Sequence, residues 1–311
     1  MEKKIILALM ALLLITGIVV YWSDHNSKPT QEVADSSTST PQALPEEYGI
    51  VTNPEHIEQG DPVLITITGV DSIEEITSFT LNGKVLNLFM HEGNPSALIG
   101  FDLRGPTGIM PLVLTLGNGE KIEKKLVVNE KLIAKAPLGI PDNLGGNTPQ
   151  AEKELINTLV EEGRLISRVP TAKEKLWEGD FQIPLDPPIV VTDTYGYSRL
   201  TGATTISHKG TDYRAPVGTP IYSMNAGVVV FAQSLRNYGN TVIVDHGLGL
   251  QTVYMHLSQI KAALNQRVEK GELVGLAGDT GYTFGPHLHL TVRINGISID
   301  PEKFLGLFNE I

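Results

Sequence analysis

The 311-residue chain contains no cysteine. Disulfides, thiolate zinc sites, cysteine nucleophiles and lipid attachment through an N-terminal cysteine are therefore excluded. Positive charge is scarce: 24 Lys and Arg stand against 35 Asp and Glu, a formal net charge of −11 at pH 7. A broad basic footprint for nucleic acid is absent. The acidity itself names no substrate, because an acidic surplus mainly keeps a chain soluble. No internal repeat with a period of about 20–50 residues is visible.

What the chain does have is turn chemistry. Its 31 glycines and 19 prolines cluster between short β-like runs, which predicts a mainly β protein rather than a helical bundle. The length leaves room for about two domains. One long hydrophobic run stands apart. Lys3 and Lys4 precede an apolar stretch from Ile5 to Trp22, which spans ~27 Å as a helix against a ~30 Å hydrocarbon core. The lysines place its start on the cytoplasmic side, and Tyr21-Trp22 suit the far interface. Residues 1–22 thus read as a transmembrane signal anchor. The rival reading is a cleaved signal peptide, which would make the product secreted. Against it, the run exceeds a usual signal core and no small-x-small cleavage site follows. Either way the remainder is exported, to the periplasm or cell wall.

Residues 23–46 are rich in Ser, Thr, Pro and acids and predict a flexible linker. Over 47–128, Val63, Ile65 and Ile67 alternate with polar residues, as do Leu112, Leu114 and Leu116. Leu81-Asn82-Gly83-Lys84 and Leu116-Gly117-Asn118-Gly119 supply hairpin turns. Short strands at this spacing predict an immunoglobulin-like β-sandwich that serves as a spacer or contacts wall or partner. Its histidines, His56 and His91, are lone and read as surface or structural groups. Residues 129–180 predict a helical connector: Thr148 caps a helix, Pro149 opens it, Leu155, Ile156, Leu159 and Val160 form its apolar face, and Gly163 ends it. From 181 to 308 the pattern reads as β throughout, with strands expected at Thr219–Met224, Val228–Ala232, Asn240–Asp245, Gln251–His256, Leu273–Ala277 and His287–Ile294.

Five of the eight histidines lie between positions 208 and 289. His208 and Asp212 are four residues apart and would share a face of a strand; His287 and His289 would also share one. His256 ends an apolar strand. Three N/O ligands with an open fourth position form a catalytic zinc site, in which bound water becomes a nucleophile near neutral pH. The bland alternative is a set of hydrogen-bonded structural histidines, and no single pair decides between them.

The set as a whole resembles the LytM/lysostaphin-type zinc metalloendopeptidases, peptidoglycan hydrolases with the duplicated hybrid motif fold. The matching stretches are His208-Lys209-Gly210-Thr211-Asp212, Gly218-Thr219-Pro220-Ile221, Gly239 to Gly247, Tyr254-Met255-His256-Leu257-Ser258, Val268 to Gly275, Gly285-Pro286-His287-Leu288-His289 and Asp300-Pro301. The resemblance implies an antiparallel β-sheet peptidase domain holding one Zn²⁺ through His208, Asp212 and His289. His287 and His256 are the implied catalytic pair, with His287 favoured as base. The implied partners are peptidoglycan peptides, and the membrane through the N-terminal segment. Leu290-Thr291 stand where the family commonly has Phe-Glu, and Phe284 where a small hydroxyl residue is usual; Tyr195 to Arg199 fits the expected turn only loosely. These departures bear on substrate preference. His246 reads as structural, His25 as solvated, Tyr254 as core, and Asn240 and Asp245 as possible hydrogen-bonding supports of the site. Two rival functions remain: an inactive relative that binds the wall and activates amidases, and a cytosolic phosphocarrier domain, which the N-terminal segment and Asp212 disfavour.

Overall fold

Alternation of apolar and polar residues builds the N-terminal half into two facing sheets. The computed structural model describes residues 48–201 and 204–308, so the expected anchor at 1–22, the linker at 23–46 and His25 lie outside the described residues. One sheet orders its strands Gly49–Asn53, Pro62–Thr68, Asn94–Gly100 and Leu88–His91. The other orders Ile57–Glu58, Lys121–Asn129, Gly108–Leu116, Ile76–Leu81 and Lys84–Val85. Val63, Ile65 and Ile67 of the first meet Phe79, Leu112, Leu114 and Leu116 of the second in one core. Asn82 and Gly83 both take positive φ, 48° and 76°, which closes the hairpin that pairs Leu81 with Lys84.

The C-terminal half centres on an eight-stranded antiparallel sheet. Its path runs Val191–Asp193, Thr211–Arg214, His287–Ile294, Leu250–Leu257, Gly239–Gly247, Gly227–Leu235 and Arg267–Val268, with Ile297–Ile299 also pairing to His287–Ile294. Two three-stranded sheets flank it. Leu288, Leu290, Val292 and Ile294 sink into the core on one face. His287, His289, Thr291 and Arg293 therefore line the opposite face. That face carries the site.

Two helices depart from the expected pattern. Helix α1 (Pro149–Ser167) starts as expected, with the Thr148 hydroxyl accepting from Ala151 N. It does not stop at Gly163. Ile166, one turn further, buries against Phe231, Ile243, Val253 and Met255, and the Glu162 carboxylate accepts from the backbone N–H of Asn237 and Tyr238. Packing of this last turn outweighs the weak helix propensity of one glycine, whose cost is about 1 kcal/mol. Val160, expected on the apolar face, is exposed. Helix α2 (Pro301–Phe308) lies where only β structure was expected. Phe304 and Phe308 are spaced four apart and pack on Phe181; the Asp300 side chain accepts from Glu302 N and Lys303 N at its start. Among the described residues no helix is long and apolar enough to cross a membrane.

The two halves share a core, and all the described residues fall in one compact unit. Leu64, Phe89 and Leu98 of the sandwich belong to the same cluster as Trp177, Phe181 and Phe304. Polar contacts reinforce the seam: Lys303 Nζ lies 2.6 Å from Asp61, and Asp300 N donates to Gly60 O at 2.9 Å. At Gly60 a Cβ would fall 2.6 Å from the Tyr195 ring, so only glycine permits that approach.

Candidate metal centre

His289 and Asp212 reach each other because their strands pair in register, Asp212 opposite His289. Asp212 Oδ1 lies 2.7 Å from His289 Nδ1. His208 arrives by another route than expected. Residues i and i+4 of a strand are about 13 Å apart at ~3.3 Å per residue, too far to hold one ion. His208 instead sits in the loop before the strand Thr211–Arg214. This loop folds back over His289: a Cβ on Gly210 would fall 2.4 Å from Leu290 O and 2.5 Å from His289 Nε2. His208 Nε2 thereby comes 3.0 Å from Asp212 Oδ1 and 3.1 Å from His289 Nδ1.

Each of the three groups is also held from behind. His208 Nδ1 donates to Thr194 O at 2.8 Å, which leaves Nε2 as a bare lone pair. His289 Nε2 contacts the Thr291 hydroxyl at 3.0 Å. Asp212 Oδ2 accepts from Arg199 at 2.9 Å. Burial by itself would raise the Asp212 carboxyl, but His289 and His208 beside it prevail and hold it well below the ordinary carboxylate range. Burial, opposed by Asp212, lowers the His289 imidazole to about 4. The convergent atoms are a carboxylate oxygen and two imidazole nitrogens, each a group that can offer an electron pair. All three residues are buried. A cation resolves such a cluster, and two nitrogens with one oxygen suit zinc.

His287 and His256 flank this cluster. His287 Nδ1 donates to Gly285 O at 2.8 Å, and its Nε2 stands 3.6 Å from Asp212 Oδ1. His256 follows Met255 on a strand whose Tyr254 and Leu257 enter the core. Strict alternation would send its ring into that core as well. A positive φ of 60° breaks the alternation and turns the imidazole to the site, with ring centroids 4.9 Å from His287 and 5.9 Å from His289. Left-handed backbone at a non-glycine residue costs on the order of 1–3 kcal/mol. Three bonds hold it: His256 N to Tyr238 O, Nδ1 to Thr280 O, and the Thr280 hydroxyl to Leu257 O. Burial, then the neighbouring His287 and His289, lower His256 to about 3.

The five expected site residues therefore converge. Asn240 braces the segment after His256 through Leu257 O. Asp245 does not support the site; it accepts from Thr171 and Ala172 and ties down the connector. His246 is fully buried, bonded to Ala226 O and Thr252, and Tyr254 is core. His56 is exposed, and His91 packs against Phe308. Asp193, Thr194, Arg199 and Thr280 went unsingled in the sequence as holders of the site, since each acts over a separation that no local pattern reveals. A cavity of about 350 Å³ adjoins the cluster, lined among others by Leu159 and Gly163 of α1, Met255, His256, His289 and Arg293.

Residues 206–301, which contain all five, match the model of peptidase family M23. The peptidoglycan DD-endopeptidase ShyA of Vibrio cholerae is 28% identical over 190 residues, 60% of this chain and 43% of its own length. The DD-carboxypeptidase/endopeptidase Mpg of Neisseria meningitidis is 44% identical over 94 residues, 30% of this chain and 22% of its own. The chain thus spans less than half the length of these curated relatives. A Pseudomonas aeruginosa crystal structure described as a peptidase M23 is similar at a TM-score of 0.58 and 26% identity, covering 80% of this chain and 95% of that one. Residues 206–301 of the chain form a domain of peptidase family M23, the LytM/lysostaphin family.

Proposed function

We propose that the protein is a zinc metalloendopeptidase that hydrolyses peptide cross-links or stem peptides of bacterial peptidoglycan. One observation carries this reading: His208, Asp212 and His289 present donor atoms all within 4.8 Å of one another, beside two further imidazoles that are not needed as ligands. The substrate class comes from relatives named as peptidoglycan DD-endopeptidase and DD-carboxypeptidase/endopeptidase.

In this mechanism His208 Nε2, Asp212 Oδ1 and His289 Nδ1 would hold the ion. Zinc bound there would polarise the scissile carbonyl and make water acidic enough to attack near neutral pH. His287 is the favoured general base. Its Nδ1–H is engaged by Gly285 O, so Nε2 is the free acceptor, and its partial exposure lowers the cost of carrying the proton until the leaving amine takes it. His256 is fixed the same way by Thr280 O, so its Nε2 also faces the site as an acceptor. As a neutral, buried ring it orients the water rather than storing the proton. A wall-binding regulator without activity is disfavoured, because every position that the chemistry needs carries a competent group. The immunoglobulin-like nature of the sandwich, and anchoring by residues 1–22 with the domains outside the cytoplasm, belong to the same proposal; they rest on sequence pattern.

Asp212→Ala tests the assignment. Wild-type protein is expected to carry one zinc per chain, and the variant none, measured by metal analysis of desalted protein. Cleavage of purified cross-linked muropeptide dimers, followed by mass spectrometry, should fall by at least about 100-fold, since a buried ligand is lost outright. Cleavage at wild-type rate by the zinc-free variant would remove the ion from the chemistry.

A further inference from the structure

We infer that Arg199 is a positioning residue that makes Asp212 a one-oxygen donor, with Asp193 holding Arg199 in place. This rests on the reading of His208, Asp212 and His289 as the metal-binding set. Asp193 and Asp212 lie directly opposite each other on paired antiparallel strands. Like charges so placed repel, and Asp212 is buried. One cation bridges them: the same Nη2 of Arg199 lies 2.8 Å from Asp193 Oδ2 and 2.9 Å from Asp212 Oδ2.

The bridge divides the Asp212 carboxylate into two ends with separate tasks. Oδ2 is taken by the guanidinium. Oδ1 alone faces His208 and His289, at 3.0 and 2.7 Å. Without Arg199 the carboxylate is free to rotate about its Cβ–Cγ bond and offer both oxygens, filling the corner that water and substrate need. Arg199 reaches the site from the strand Ser198–Thr201, which pairs with Thr204–Ser207 immediately before His208. The same short segment thus supplies one ligand and the clamp on another. The guanidinium is largely buried, and among the described residues its Nε has no hydrogen-bond partner. Its net contribution here lies in the Nη2 bridge.

Full-length wild type, Arg199→Ala, Arg199→Lys and Asp193→Asn are compared by zinc competition against a chromophoric chelator. Each is also examined by the visible spectrum of its Co²⁺ form and by thermal unfolding of the metal-free protein. Arg199→Ala is expected to bind zinc about 10- to 100-fold more weakly, the range for losing a group that orients a metal ligand. Its Co²⁺ bands should weaken as a second Asp212 oxygen raises the coordination number. Asp193→Asn should move both readouts the same way by less, and Arg199→Lys should restore part of the loss. Unchanged zinc affinity and Co²⁺ spectrum in Arg199→Ala overturn the inference. So does a loss of affinity that only follows a fall in metal-free stability, with the spectrum intact. Should Arg199→Ala not fold, the same criteria apply to Asp193→Asn and Arg199→Lys. Wild type that binds no zinc sinks the metal reading itself, a separate failure.

Discussion

His246 is buried completely and bonded through both ring nitrogens. Burial lowers its pKa to about 4, against ~6.5 in the unfolded chain. Between these values the unfolded chain binds a proton that the folded protein refuses. The stabilisation is therefore full above pH ~6.5 and is lost as pH falls towards 4. Between pH 7 and 5 the loss from this one residue is about 2 kcal/mol. Denaturant unfolding at the two pH values should show a smaller difference in His246→Gln than in wild type, and an equal difference would refute the assignment. The structural role of His246 was legible from the turn it precedes. The orientation of His256 was not, because alternation points its ring to the wrong face and only the 60° φ corrects it. No neighbour in sequence announces that angle; it is imposed by Tyr238 and Thr280 from elsewhere in the chain.

Helix α1 walls one side of the cavity beside the site through Leu159, Gly163 and Ile166. Its grip on the sheet is the buried Glu162, which accepts from Asn237 N and Tyr238 N. Tyr238 O in turn holds His256 N. Glu162→Ala leaves the buried Asn237 N–H unpaired, at about 1–3 kcal/mol, and the part-buried Tyr238 N–H at less. The expected result is faster amide exchange over 149–167 and at His256, with the sandwich strands unaffected; unchanged exchange in α1 would show that the carboxylate anchors nothing. Local signals announced the start of α1, since Thr148-Pro149 is a cap in its own right. They misjudged its end, because Ile166 is held by strands more than 60 residues away. The strand His287–Ile294 was read with its bounds intact because its alternation of polar and apolar residues is a local signal. The route of His208 was not: sharing a face is a matter of period, whereas sharing an ion is a matter of distance.

At the scale of the whole molecule, the sandwich is more than a spacer. Phe89 is nearly fully buried, with its ring 5.2 Å from that of Trp177, inside the core that also backs His287–Ile294. Phe89→Ala should cost about 3–5 kcal/mol and lower the stability of both halves together, seen as one cooperative calorimetric transition; two transitions, with only one shifted, would mean that the halves fold independently. This joint core was invisible in the sequence, since Leu64 and Phe89 look like ordinary strand residues until the two halves meet. Zinc-dependent cutting of the wall is tested most directly by digesting purified sacculi with the full-length protein and identifying released muropeptides by mass spectrometry. Peptides with opened cross-links or shortened stems should be released by the zinc-loaded protein, vanish after chelation and return when zinc is added back. Undiminished release of the same peptides from zinc-free protein, or none from the loaded one, would contradict it.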